Sequence, residues 1–141
     1  MPTSSSALSL QPDPKPGAYR PYVAARSPGG RPDQATTYRV VVHRQYLDEW
    51  NSLVERVGLE SAQQFYAHVS LTPGSHPKVG TSGYLRGKAA KPKWDGYSRT
   101  IHYEISGAGR IDYQWTNEEA GGADGDKHPV VRILTIDLNS H

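Results

Sequence analysis

The chain has 141 residues, which is one domain's worth, and it contains no cysteine, so a disulfide-stapled scaffold, a thiolate metal site and a cysteine nucleophile are excluded. Apolar residues make up 35% and charged residues 21%, alongside 14 Gly and 11 Pro. That apolar share is low for a chain that is compact throughout, where about 45–50% counting Gly is usual, so part of the sequence is expected outside the core. The net charge of +2 hides an uneven distribution: five cations lie between Arg86 and Arg99 against Asp95 alone, whereas the last 38 residues carry seven acidic and three basic side chains.

Residues 1–36 hold seven of the 11 prolines together with Ser-Ser-Ser and Pro-Gly-Gly runs. Proline lacks a backbone donor and blocks helix, and little here could bury enough surface to offset the entropy of ordering. This stretch is expected to be a disordered Pro-rich leader, with the folded domain spanning 37–141. Nothing in the sequence approaches the roughly 18 apolar residues of a membrane span, and no basic start leads into an apolar core at the N-terminus. A cytoplasmic location without membrane contact is expected.

Tyr38-Arg39-Val40-Val41-Val42 is β-branched and short, and reads as a strand. From His43 to Val57, the apolar residues Tyr46, Leu47, Trp50, Leu53, Val54 and Val57 trace one helical stripe, and Gly58 suits its end. Leu59, Ala62, Phe65, Tyr66 and Val69 mark a second helix that stops at Thr72-Pro73-Gly74, so the two form a helical hairpin. Residues 73–96 read as loop. Ser98–Ile105 and Arg110–Thr116 alternate around Ser106-Gly107-Ala108-Gly109, which is a β-hairpin signal. Asn117–Lys127 is an acidic Gly-rich loop, and Val130–Leu138 is a nearly continuous apolar run suited to a buried strand.

Strand parity separates two faces. Ile101, Tyr103, Ile105, Ile111, Tyr113 and Trp115 share one, against which the helical hairpin can pack. Thr100, His102, Glu104, Arg110, Asp112 and Gln114 share the other, expected to be an open polar surface. Trp50 belongs to the core stripe. Trp94, between Lys93 and Asp95, is the aromatic placed either to stack on a base or to pack as a lid. The six histidines show no ligand spacing, so no metal is expected.

The predicted class is α+β, with order β-α-α-β-β-β and a helical hairpin on one face of a mostly antiparallel sheet. This order, with Tyr38–Val42 leading into Leu47-Asp48-Glu49-Trp50, Tyr84-Leu85-Arg86-Gly87, Gly109–Trp115 and the closing Val130–Leu138 run, resembles the RelE/ParE superfamily of bacterial toxins. The resemblance implies the toxin of a toxin–antitoxin pair, partnered by a cognate antitoxin and needing no cofactor. RelE-like members cut messenger RNA on the ribosome, using the RNA 2′-hydroxyl as nucleophile without a metal; ParE-like members instead inhibit DNA gyrase. Carried over by position, Arg110 falls where RelE-like toxins contact the scissile phosphate. His102 falls near a strand lysine of some members, and His141 just past the last strand, near the reaction centre. Arg86, Lys88, Lys91, Lys93 and Arg99 fall in the RNA-contacting basic stretch. The sequence departs from the pattern at Asn139 and Ser140, where an Arg is common, and at Thr100 and His102, which replace paired lysines. The expected activity is therefore a ribosome-dependent mRNA endonuclease, with a ParE-like gyrase inhibitor or a catalytically decayed protein-binding member as alternatives.

Overall fold

The computed structural model describes residues 21–30, 36–75, 82–107, 109–119 and 128–138. It is α+β. Six strands, β1 (Tyr22–Ala24), β2 (Arg39–His43), β3 (Gly83–Tyr84), β4 (Ile101–Glu104), β5 (Arg110–Glu119) and β6 (His128–Asp137), form one sheet in the order β1-β2-β6-β5-β4-β3. The β2–β6 pair is parallel and the other pairs are antiparallel. Three helices, α1 (Leu47–Asn51), α2 (Leu53–Val57) and α3 (Leu59–Leu71), cover one face. Among the described residues no helix is long and apolar enough to cross a membrane.

The core follows the periodicities. Val40 and Val42 of β2, Ile101 and Tyr103 of β4, Ile111 and Tyr113 of β5 and Val131, Ile133 and Ile136 of β6 bury against Trp50, Leu53, Ala62, Phe65 and Val69. Phe65 sits at the centre, its ring 4.8 Å from Tyr103 and 6.1 Å from Tyr113 by centroid, with Trp50 at 6.0 Å. Each fully buried side chain of this kind stabilises the fold by about 1.5–3 kcal/mol. The stripe from Tyr46 to Val57 faces the core as its spacing requires, but it is not one helix. A short 3₁₀ turn spans Arg44–Tyr46, capped by the His43 ring, which accepts from the Gln45 N–H. The helix then breaks at Ser52, whose hydroxyl bonds the Glu49 carbonyl at 3.2 Å, a back-bond that bends helices. Gly58 ends α2 with φ of 94°, a conformation a side chain would strain, and the chain turns directly into α3.

The expectation that residues 1–36 lie outside the domain is corrected over 21–30; residues 1–20 and 31–35 lie outside the described residues. β1 pairs with β2 from Tyr22 opposite His43 to Ala24 opposite Val41. Past β1 the segment runs over the helices, where the Trp50 indole N–H donates to the Arg26 carbonyl at 2.9 Å and Pro28 is buried. Proline density correctly excludes helix here. It does not exclude a three-residue edge strand, whose backbone needs only one partner.

The second face of the sheet is divided. Over the β1 end lies a small cluster of Tyr22, Val41, Val130 and Leu134, with Trp94 packed on it. At its centre is Arg132 of β6, only 6% exposed. Its guanidinium lies 4.4 Å from the Trp94 ring centroid, 5.0 Å from Tyr22 and 5.5 Å from Tyr97. Arg132 Nε donates to the Tyr97 hydroxyl at 2.8 Å and Nη2 to Glu119 at 3.0 Å. Glu119 explains why β5 continues past Thr116 into residues expected to be loop: extension as strand carries that carboxylate to the buried cation.

Two stability predictions follow from this arrangement. Deleting residues 1–30 strips Tyr22 from Arg132 and uncovers Val41 and Trp50, and is expected to lower the thermal midpoint by roughly 10 °C or more; an unchanged midpoint would place the segment outside the cooperative unit. Replacing Arg132 with Ala leaves Glu119 without its cation and a gap beneath Trp94, at a cost of about 3–5 kcal/mol. Adding Glu119→Gln to Arg132→Met should recover part of that loss, because a neutral amide and an apolar side chain leave no charge unpaired. Urea titrations of the three proteins check both statements.

Candidate functional site

The β3 end of the same face is where polar side chains remain accessible. His102 and Asp112 are direct cross-strand partners on β4 and β5, as are Glu104 and Arg110. Opposite residues on an antiparallel pair have Cβ atoms about 4.5–5.5 Å apart, so complementary side chains meet. The His102 Nδ1 lies 2.5 Å from Asp112 Oδ1, with both side chains partly exposed. A carboxylate accepts, so a hydrogen bond here runs from Nδ1–H to Asp112 and leaves Nε2 as the ring nitrogen not engaged by it, with a lone pair whenever the ring is neutral. Towards the sheet edge the residue paired with His102 is Gly83 of β3. Gly83 therefore adds no side chain beside the imidazole, which is partly exposed.

Arg110 lies beside this pair, but its guanidinium is engaged. Nη1 donates to the carbonyls of Ser106 and Gly109, both at 3.0 Å, and Nη2 lies 3.5 Å from Glu104 Oε2. The space left by the turn glycines is used by Arg110 to bind the turn's own carbonyls. Across β6, Thr135 is the partner of Asp112 and Asp137 that of Arg110. The accessible half of the face thus presents Glu104, Asp112 and Asp137 with His102 and Arg110.

Two residues expected on this open surface are buried, and this corrects the reading of the face as uniformly open. Thr100 and Gln114 lie beneath the segment from Arg86 to Tyr97. Gln114 acts as a rivet: its side-chain nitrogen donates to the Lys91 carbonyl at 2.8 Å and to the Thr100 hydroxyl at 2.9 Å, and its oxygen accepts from the Lys93 N–H at 2.9 Å. Thr100 N–H donates to the Ala90 carbonyl, and Leu85 N–H to the Thr100 carbonyl, both at 2.9 Å. With its backbone bound down, the segment turns its charged side chains outward. Arg86, Lys88, Lys91, Lys93 and Arg99 are all exposed, and among the described residues none is paired with a carboxylate. Trp94 takes the lid role, stacked over Arg132.

The sequence-derived site residues therefore separate. His102 and Arg110 share one half of the face, the five cations line the adjoining segment, and His141 lies outside the described residues. Parity placed Asp112 on the face; its pairing with His102 depends on a register that no single strand reveals. The Arg132 cage was missed as well, although a cation in the middle of the apolar run Val130–Leu138 is a signal that partners must exist. Among the described residues no group of three or more His, Asp or Glu side chains is placed to hold a metal ion. Tyr97 is pushed well above the ordinary phenol range, by burial first and then by its hydrogen bond to Glu119, with Arg132 opposing, so it stays protonated as a donor.

Comparison of the chain with protein-family models, with curated proteins and with solved structures found no match.

One histidine outside this surface makes stability depend on pH. His68 of α3 is half-buried beside the Tyr103 ring, with a centroid distance of 5.7 Å. Burial holds its pKa below the ordinary 6.5, opposed in part by a hydrogen bond to the Ser75 backbone. The unfolded chain therefore takes up this proton before the folded one does. Stability from this site is complete above about pH 6.5 and is lost as pH falls below that value. The variant His68→Leu should show a smaller drop in thermal midpoint between pH 7 and pH 5 than the parent chain, whereas equal drops would assign the acid sensitivity to other groups.

Proposed function

We propose that the protein is a toxin of the RelE-like kind, an endoribonuclease that cuts messenger RNA on the ribosome, acts in the cytoplasm and is restrained by a cognate antitoxin. The observation that carries the reading is His102, held through Nδ1 by Asp112 on an accessible sheet face beside a run of unpaired cations. Cleavage through the 2′-hydroxyl requires a base at that oxygen, positive charge at the phosphate and a proton for the leaving 5′-oxygen. His102 Nε2 is suited to take the 2′-proton. The 2′-oxygen then bonds to phosphorus, the bond to the 5′-oxygen breaks as that oxygen takes a proton from water, the imidazolium gives its proton back to the solvent, and the products are a 2′,3′-cyclic phosphate and a 5′-hydroxyl. Asp112 orients the ring and stabilises the imidazolium. The exposed cations supply long-range attraction for a polyanion.

One observation favours the second reading, a non-enzymatic inhibitor of gyrase or a protein-binding member: Arg110, expected to grip the scissile phosphate, is bound to its own turn and to Glu104. The two readings separate in a reconstituted translation system with transcript 5′-end mapping. Under the endonuclease reading the parent chain cuts ribosome-bound message, His102→Ala slows cutting by about 10²-fold or more, and Asp112→Asn slows it less. Arg110→Ala is expected to lose about 10²-fold if the guanidinium reaches the phosphate. Intact transcripts combined with inhibited DNA supercoiling would overturn the endonuclease in favour of the gyrase inhibitor. Cutting that is unaffected by His102→Ala would remove the assignment of the base.

A further inference from the structure

The aromatic side chain that the sequence marks for base stacking, Trp94, is committed to Arg132 and packs edge-on against Tyr22 at 5.7 Å. Among the described residues the exposed large apolar side chains are Val23, Leu59 and Tyr84. Of these, Tyr84 adjoins the basic stretch, two residues before Arg86. It belongs to β3, the edge strand, and is 49% exposed. Its register partner is Ile101, whose side chain faces the helical layer, so Tyr84 leaves the sheet on that side at the rim. Arg86 follows two residues later in extended conformation, φ −120° and ψ 162°, which sends its side chain to the same side. Arg99 closes the group, with Nη2 donating to the Leu85 carbonyl at 3.4 Å, between the two. The backbone thus places an exposed phenol near two exposed arginines, neither paired with a carboxylate among the described residues. One residue before Tyr84 is Gly83, the register partner of His102.

We propose that Tyr84 is a stacking platform for a base of single-stranded RNA, with Arg86 and Arg99 holding the phosphates on either side. The inference rests on the endoribonuclease reading and adds to it a contact for the strand at the β3 rim. A solitary exposed tyrosine on an edge strand is ordinary. The two exposed guanidinium groups beside it, without a carboxylate partner among the described residues, turn this one into a site. A single strand is specified because stacking needs a base face, which a duplex keeps inside.

The test uses the full chain and a dye-labelled single-stranded RNA decamer carrying 2′-O-methyl groups, which cannot be cut, read by fluorescence anisotropy at several salt concentrations. Tyr84→Ala should weaken binding about ten-fold with its salt slope unchanged, because stacking releases no counterions. Tyr84→Phe should stay within about two-fold of the parent, since the ring is kept. Arg86→Ala and Arg99→Ala should each flatten the slope by roughly 0.7. Circular dichroism and thermal midpoints confirm that each variant is folded. Parental affinity in Tyr84→Ala, or equal losses in the Ala and Phe variants, overturns the platform; if His102-dependent cutting persists, the endonuclease reading survives that failure. A parent chain that neither binds the decamer nor cuts message overturns both.

Discussion

A guanidinium inside a β-sheet protein has to be neutralised and covered, and Arg132 imposes that requirement on this fold. It lies on a central strand, at a position whose parity places it opposite the helical layer. Taking a cation out of water costs several kcal/mol unless its hydrogen bonds and its charge are met. Three separate parts of the chain meet them: Tyr22 from β1, Trp94 and Tyr97 from the segment before β4, and Glu119 from the far end of β5. Arginine suits the role because its planar group stacks on rings while its edge donates; lysine has no plane to stack. Cation–π contacts of this desolvated kind are each worth up to about 2 kcal/mol. The N-terminal edge strand, the lid and the extended β5 thus share one anchor.

The anchor also shapes what remains accessible. A lid fastened at Arg132 and riveted at Gln114 covers the polar face from Tyr22 of β1 across to Gln114 of β5 and Thr100, and leaves the part around His102, Glu104, Arg110 and Asp112 accessible. Its backbone hydrogen bonds are used internally, so its lysines and arginines project outward. Positive charge accordingly concentrates along the lid and the β3 rim, whereas the open sheet surface carries three carboxylates beside His102 and Arg110. Under the endonuclease reading, a polyanion would be attracted to the rim and not to the middle of the sheet.

Much of this was legible in the sequence, for reasons specific to each element. The stripe from Tyr46 to Val57 and that of α3 announce a helical layer, because burial against a sheet leaves a 3.6-residue period. Alternation in Ile101–Ile105 and Arg110–Trp115 assigns the faces correctly. Ser52 does not disturb the stripe, so the break there is invisible to periodicity. Tyr22-Val23-Ala24 is too short to stand out in a Pro-rich stretch, and its stability comes from β2 and Arg132, both remote in sequence. The burial of Thr100 and Gln114 depends on a lid whose own sequence, Lys91-Pro92-Lys93-Trp94, reads as loop. Parity tells which side a residue faces, and it cannot tell whether another segment returns to cover that side.

Arg110 is where the chemistry of the open face turns. Its two amino groups are held unequally. Nη1 is fixed by carbonyls of the Ser106–Gly109 turn, which would otherwise lose a donor, and these contacts set where the guanidinium sits. Nη2 faces Glu104 across 3.5 Å, at side chains that solvent still reaches. Partly exposed ion pairs of this length are worth under about 1 kcal/mol. A charge-assisted contact to phosphate is stronger than that. Under the endonuclease reading, a phosphodiester would take the place of Glu104 at Nη2 while the turn keeps the guanidinium in position. On this view the engaged state of Arg110 is preorganisation for one edge of the group, and Glu104 is the placeholder that keeps its charge compensated until a phosphate replaces it. The gyrase or protein-binding alternative needs no such exchange, and under it Glu104 and Arg110 serve the hairpin alone.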